Sequence, residues 1–399
     1  MKFSQAHGNE KTMKNKNILI LISFLAFISL GLPDGLLGVA WPFISERLQV
    51  PLDQLGVLLV SFVAGYLSSS LSNSKIMEKV HLGMLLTVSC FLTGSSLFAF
   101  ALIEHWFLLI IAAYFLGAGG GAIDTSINVF ASAKFSPSVV NWLHAFYGIG
   151  ATAGPLILSG FIILGQTWKA GYWTVGIIQI LLGGLFFSTS KLWAHHEQVK
   201  KEVEPTTSYR EVLSQPAVWL SIFIFFIYTG TEAGIGQWLY SILIKSRGID
   251  EAYGGLWVSA YWGSLTLGRI VFGFILKKSS TGKVILLAVI GVALGTLIFY
   301  LNFHYILSFV AILLIGWSCA PIFPSMIASV PFWFSQKYAG AVIGFQISAA
   351  MLGGAILPAI SGFLSRGFGL EVISLAFFVQ SILLFIGYIW LSSQKSKKI

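Results

Sequence analysis

Residues Ile18–Ile44 read ILILISFLAFISLGLPDGLLGVAWPFI, with one charged residue, Asp34, in the run. A helix needs about 20 apolar residues to cross a bilayer, and this stretch exceeds that. The basic segment before it, Met1–Asn17, superficially resembles the start of a secretory signal. A signal's apolar region is only about 7–15 residues long and ends at a small-residue cleavage site. The run is therefore read as a retained first membrane span.

The same reading extends along the chain. Twelve spans are expected, at about 18–44, 54–74, 82–103, 106–133, 139–165, 170–193, 217–244, 252–276, 284–302, 304–332, 338–364 and 370–392. Composition agrees: of 399 residues, 56% are hydrophobic and 10% are charged, against about 25% charged in an ordinary soluble domain. A water-soluble globule of this composition would expose large apolar patches, so that class is excluded. The expected fold is an all-α membrane protein of twelve transmembrane helices in two pseudo-symmetric six-helix bundles. Residues 1–193 form the first bundle and 216–399 the second. The connection 194–215, which holds His195, His196 and Pro205, is a cytoplasmic linker.

Two patterns support the halves and orient them. Shifting the chain by 198 residues places Val60-Ser61 on Val258-Ser259, Gly65 on Gly263, Leu67 on Leu265 and Asp34 on Glu232. Parallel repeats related by an axis along the membrane normal are a known transporter design. With alternating sides, 18 of the 24 Lys and Arg residues fall on the side of the termini. Five (Arg47, Lys169, Lys245, Arg247 and Arg366) fall opposite, and Arg269 lies inside a span. Positive residues favour the cytoplasmic face. Both termini are thus expected in the cytoplasm of a multi-pass protein of the plasma (inner) membrane. The net charge of +9 is read as topology, with no nucleic-acid partner. Cys90 and Cys319 lie in apolar runs and imply no disulfide framework.

The acids carry the sharpest functional signal. Of 15 Asp and Glu, three lie well inside spans: Asp34, Asp124 and Glu232. A carboxylate at a span centre costs at least about 2.5 kcal/mol on insertion scales. Such groups mark ion or substrate paths unless they serve only to bond a neighbouring helix. Asp34 lies in Gly31-Leu32-Pro33-Asp34-Gly35 and Glu232 in Gly230-Thr231-Glu232-Ala233-Gly234. Asp124 follows a glycine run and shares a helix face with Asn128. Asp34 and Asp124 are the expected proton-coupling residues. Glu232 is the expected substrate or coupling carboxylate of the second half.

Polar and aromatic residues at span depth complete the candidate site. Asn141, His144 and Gly148 lie on one stripe, joined by Tyr147. Later spans add Gln237, Trp238, Tyr261, Trp262 and Gln346. Amides beside flat rings suit a sugar, whose C–H faces stack while its hydroxyls bond amides. Ordinary interhelical hydrogen bonding is the other reading of these residues, and His144 reads equally as a proton relay or a packing residue. Arg269 is expected to brace a gate. Pro321 and Pro324 are expected to kink span 10 as a gating hinge. The sequence shows no Walker loop, no nucleophile–base pairing and no metal-ligand spacing, so neither an enzyme nor an ATP-driven pump is expected. No cofactor is expected beyond the coupling ion, H⁺ or alternatively Na⁺. The partners are a small-molecule substrate and membrane lipids around a monomer.

Five motifs carry a resemblance to a known family: Gly31-Leu-Pro-Asp34-Gly-Leu-Leu-Gly38, Gly119-Gly-Gly-Ala-Ile-Asp124-Thr-Ser-Ile-Asn128, Asn141-Trp-Leu-His144-Ala-Phe-Tyr147-Gly148, Gly230-Thr-Glu232-Ala-Gly234 and Ala320-Pro321-Ile-Phe-Pro324. They resemble the fucose permease and glucose/mannose symporter branch of the major facilitator transporters, which also includes sodium-dependent glucose transporters of animals. The resemblance spans nearly the whole chain. It implies proton and substrate carboxylates in spans 1 and 4, where Asp34 and Asp124 stand. The family's fourth-span acid is commonly Glu followed by Thr-Ala-Ala-Asn; here Asp124 precedes Thr-Ser-Ile-Asn128. The implied function is proton-coupled symport of a small neutral hexose or deoxyhexose by alternating access, at a site in a central cavity between the halves. The alternatives are a proton antiporter exporting amphipathic compounds and a sodium-coupled sugar symporter.

Overall fold

A computed structural model describes residues 2–194, 209–335 and 337–394, without the side chains of 2–14, 137, 138, 141, 194 and 394. Most of the expected linker, including His195, His196 and Pro205, lies outside the described residues. Among the described residues there is no strand, and twelve helical stretches are long and apolar enough to cross a membrane: Asn15–Leu48, Leu52–Met77, Leu82–Leu102, Trp106–Lys134, Trp142–Ile163, Lys169–Ser188, Pro216–Ser246, Glu251–Ile275, Thr281–Leu301, Tyr305–Trp333, Ala339–Phe368 and Glu371–Ser393. They are numbered spans 1–12. Helices are what a bilayer demands, because hydrocarbon leaves backbone N–H and C=O groups no partner but each other. Large apolar side chains such as Leu71, Phe107 and Phe332 are exposed, as suits helices surrounded by hydrocarbon.

Span 6 ends earlier than the sequence reading has it, and span 10 breaks at an expected proline. Span 6 stops at Ser188, and a separate short helix, Ser190–Ala194, follows. Span 10 is two helices, Tyr305–Cys319 and Ile322–Trp333, meeting at Pro321. Proline has no N–H to continue the ladder, so the break falls where the sequence places it.

Helix pairing repeats between the two sequence halves. Span 3 packs on spans 4 and 6, and span 9 packs on spans 10 and 12. Glycines set the closest approaches. A methyl group at Gly117 would fall 1.9 Å from the Phe62 carbonyl oxygen, which locks span 4 on span 2; Gly316 against the Tyr261 carbonyl does the same for spans 10 and 8. Gly150 against Ile28 joins spans 5 and 1, and Gly353 against Phe226 joins spans 11 and 7. Small residues let backbones meet where the hydrophobic effect gives no drive between helices.

The chain divides into two compact units. One comprises Met1–Leu36, Ser61–Gly154 and Gln166–Lys200; the other comprises Leu37–Val60, Pro155–Gly165 and Lys201–Ile399. The second unit thus takes in the end of span 1, the start of span 2 and the end of span 5. Within it Gly38 lies against the Gly236 carbonyl, Gly56 against Ala359, and Ser159 against Gly255. Arg247 braces the same unit: it grips both carboxylate oxygens of Glu371 at 2.8–2.9 Å, donates to the Phe299 carbonyl and covers the Phe299 ring.

Candidate functional site

In the first unit, the close approach of spans 1 and 5 sets the first carboxylate. Gly31 faces the Tyr147 carbonyl directly, and three residues further along span 1 the Tyr147 hydroxyl donates to Asp34 Oδ2 at 2.5 Å. Spans 2 and 4 set the second. The Tyr66 hydroxyl donates to Asp124 Oδ2, and Asn128 Nδ2 donates to Asp124 Oδ1 at 2.8 Å. The i, i+4 spacing of Asp124 and Asn128 thus yields a real bond. Two further hydrogen bonds zip the same pair of spans, Thr125 to Ser70 at 2.9 Å and Ser126 to Asn73 at 2.9 Å.

The two carboxylates belong to one electrostatic cluster. Asp34 feels the charge of Asp124, and Asp124 feels His144. Both aspartates, both tyrosines and Asn128 are part-exposed, and His144 is exposed although it lies at span depth. His144 meets the Phe27 ring edge-on at 5.6 Å, beside a Phe24–Phe146 stack. Asn141 lies on the same helix, and its side chain is outside the described residues.

The third carboxylate is held differently. Glu232 is 9% exposed, and Arg269 Nη2 stands 3.1 Å from its Oε1. Arg269 thus pairs with the span 7 acid, a contact that the gate-bracing expectation does not include. The Tyr261 hydroxyl donates to the Glu232 backbone carbonyl at 2.8 Å. The Tyr228 hydroxyl donates to the Cys319 carbonyl at 2.9 Å, on the helix that ends just before Pro321. A buried acid paired with a guanidinium is neutral as a unit and holds both groups in place.

The remaining candidates of the second unit separate into two groups. Trp238 is fully buried, its indole N–H bonds the Pro358 carbonyl at 2.9 Å, and its ring fills the space beside Gly362. It packs spans 7 and 11 together, and Tyr261 is likewise committed to a backbone carbonyl. By contrast, Trp262 Nε1 and Gln346 Oε1 are buried polar atoms with no hydrogen-bond partner among the described residues. The Trp262 ring lies against Gly236, and Gln346 donates through Nε2 to Ser221. Gln237 is buried in the same unit. Buried polar atoms are seldom left unpaired without a reason, and a solute hydroxyl can satisfy both a donor and an acceptor.

The sequence reading missed Tyr66 and the ion pair between Asp53 and Arg366, 2.7 Å apart. Tyr66 did leave a signal. With Ser69, Ser70 and Asn73 it forms an i, i+3, i+4, i+7 polar stripe inside an apolar span. Asp53 and Arg366 left none, since each reads as an ordinary loop-end charge.

Comparison with known proteins follows the same lines. The family model described as Major Facilitator Superfamily matches residues 19–301 and 233–399. The glucose/mannose transporter GlcP of Bacillus subtilis (strain 168) is 25% identical over 350 residues, covering 86% of each chain. Among solved structures, a variant of the nucleoside transporter NupG superposes with a TM-score of 0.78 at 13% identity, covering 94% of this chain and 99% of that one. The Major Facilitator Superfamily transporter FucP, in its outward conformation, gives 0.61 at 15% identity, covering 93% and 98%. At these identities the two structures speak for the fold.

Proposed function

The chain belongs to the Major Facilitator Superfamily, a family of transporters and not of enzymes, and from that premise we propose that it moves a small neutral sugar in symport with protons, by alternating access. The observation that carries this reading is the cluster of Asp34 and Asp124, two carboxylates at span depth, each accepting a tyrosine hydroxyl. Low-dielectric surroundings favour a neutral acid, and a donated hydroxyl favours the carboxylate. A group held between these influences changes its proton state when its access to water changes. Asp34 and Asp124 are the proposed proton carriers, with His144 beside them as a relay. Asn128, Tyr147 and Tyr66 are proposed to meet substrate hydroxyls in the first unit. Gln237, Trp262 and Gln346 are proposed to meet them in the second, where Trp262 Nε1 and Gln346 Oε1 stand ready as donor and acceptor.

The name of GlcP, a glucose/mannose transporter, supports a hexose. One proton falling through 100 mV releases about 2.3 kcal/mol, enough to concentrate a neutral sugar more than tenfold. The proposed location is the plasma (inner) membrane with both termini in the cytoplasm.

The test uses purified protein in proteoliposomes with a pH-sensitive dye. Addition of glucose, mannose or a deoxyhexose outside should alkalinise the outer solution as sugar enters. Acidification would mean antiport. Sugar uptake that needs Na⁺ and moves no protons would mean sodium coupling. No uptake of any sugar would remove the substrate class.

A further inference from the structure

The ends of spans 8 and 9, with the loop between them and the side of span 10, line an open-sided cavity of about 630 Å³. Its mouth is polar, formed by Lys278, Ser279, Ser280 and Lys283. Its inner wall is apolar. Phe272 and Trp317 line it with ring centroids 5.4 Å apart, and Leu287 continues the wall outward. Leu287 is 69% exposed and Phe274, on the adjoining turn, 62%, so an exposed apolar surface adjoins the polar residues. Neighbouring Lys277 lies over the Phe274 ring at 5.4 Å, which places its ammonium at the same polar boundary.

The chemistry of this cavity is lopsided. It gathers two lysines and no acidic side chain, so it favours a negatively charged occupant. It sits at a span end, where a basic pocket between transmembrane helices suits an anionic lipid headgroup. A free anion would use the lysine and serine mouth and leave the Phe272–Trp317 wall against water. A neutral sugar would leave both charges unanswered. One molecule with an anionic phosphate at one end and a hydrocarbon chain at the other satisfies both parts.

We propose that this cavity is a binding site for an anionic phospholipid. The phosphate lies between Lys278 and Lys283 with the Ser279 and Ser280 hydroxyls donating to it, and the first acyl carbons run along the Phe272–Trp317 wall. None of its lining residues belongs to the carboxylate cluster, so the proposal does not depend on which solute the protein carries.

The test is native mass spectrometry of the full chain released from detergent, titrated with phosphatidylglycerol, with phosphatidylcholine of the same acyl chains, and with inorganic phosphate as competitor. The expected result is preferential retention of phosphatidylglycerol, roughly tenfold or more weakened in Lys278→Gln/Lys283→Gln and kept in Lys75→Gln/Lys79→Gln, which removes the same charge from another loop. Retention unchanged in the Lys278/Lys283 variant would overturn the site. Equal loss in both double variants would reduce it to diffuse surface attraction and also overturn it. Displacement of the lipid by millimolar inorganic phosphate would show a free-anion site in its place.

Discussion

The Tyr147 hydroxyl donates to Asp34 Oδ2 at 2.5 Å, across 113 residues of sequence. A hydrogen bond to a charged group contributes about 1.5–3 kcal/mol, so Tyr147→Phe should lower gradient-driven sugar uptake by about tenfold or more. Asp34→Asn should abolish accumulation against a gradient while leaving sugar exchange at equal pH. Radiolabelled uptake and counterflow in proteoliposomes separate the two. Full accumulation by Asp34→Asn would remove Asp34 from the coupling site.

The Glu232–Arg269 pair is largely buried, at 12% and 20% side-chain exposure. Arg269→Gln leaves the acid without its guanidinium, and loss of one partner of a buried pair costs about 3–5 kcal/mol. The thermal midpoint in detergent should fall clearly in Arg269→Gln and recover in Glu232→Gln/Arg269→Gln. A double variant as unstable as the single one would mean that the pair does not act as a unit.

Asp53 and Arg366 join the start of span 2 to the last turns of span 11, with the aspartate 7% and the arginine 49% exposed in their side chains. Arg366→Gln should lower the thermal midpoint, and Arg366→Lys should recover part of the loss, since lysine keeps the charge but not the planar fork. Because this contact ties residues 37–60 to the C-terminal spans, Arg366→Gln should also raise the labelling rate of a cysteine placed at Gln54. An unchanged rate would confine the pair to stability.

Glu211, on the short helix Tyr209–Leu213, accepts the Tyr338 hydroxyl and lies 3.1 Å from Lys337 Nζ. The Tyr338 bond, then Lys337, hold its carboxyl below the ordinary 4.5, while Lys337 and Tyr338 are pushed up by the same acid. The depressed acid contributes stability above pH 4.5 that is lost as pH falls through its folded value. The raised lysine and tyrosine contribute stability below about pH 10 that is lost as pH rises through theirs. The contact should therefore be fully held between about pH 4.5 and about pH 10 and weaken only outside those limits. Hydrogen exchange at the amides of 209–214, corrected for intrinsic chemistry, should accelerate on acidification below that window, and Glu211→Gln should abolish the step.

Gly117 faces the Phe62 carbonyl with no room for a side chain, whereas Gly160 meets nothing within 4 Å. Gly117→Val should part spans 2 and 4, carry Asp124 away from Tyr66 and reduce the yield of monodisperse protein severely. Gly160→Ala should be neutral or slightly stabilising, since alanine is the better helix former. Size-exclusion profiles of the two variants provide the check.

Much of this was legible beforehand. The runs that became twelve helices, the break at Pro321, the Asp124–Asn128 face and the three acids at span depth all read directly from the chain. Trp238 and Tyr261 did not. The sequence places both at a candidate site, and the structure shows their polar atoms bonding the backbone carbonyls of Pro358 and Glu232. A span-depth aromatic looks the same in sequence whether it faces a cavity or a neighbouring helix.

The sequence by itself determined the number of spans, the repeat that joins Asp34 to Glu232, and which acids lie at span depth, because transfer of a segment into hydrocarbon depends on that segment's own residues. Only the tertiary structure decided that Tyr147 serves Asp34, Tyr66 serves Asp124, Arg269 neutralises Glu232 and Arg366 holds Asp53. Partners 37 to 113 residues apart in the first three of these pairs meet where glycines such as Gly31 and Gly117 let backbones close to contact, and that approach is a property of two helices together, written in neither alone.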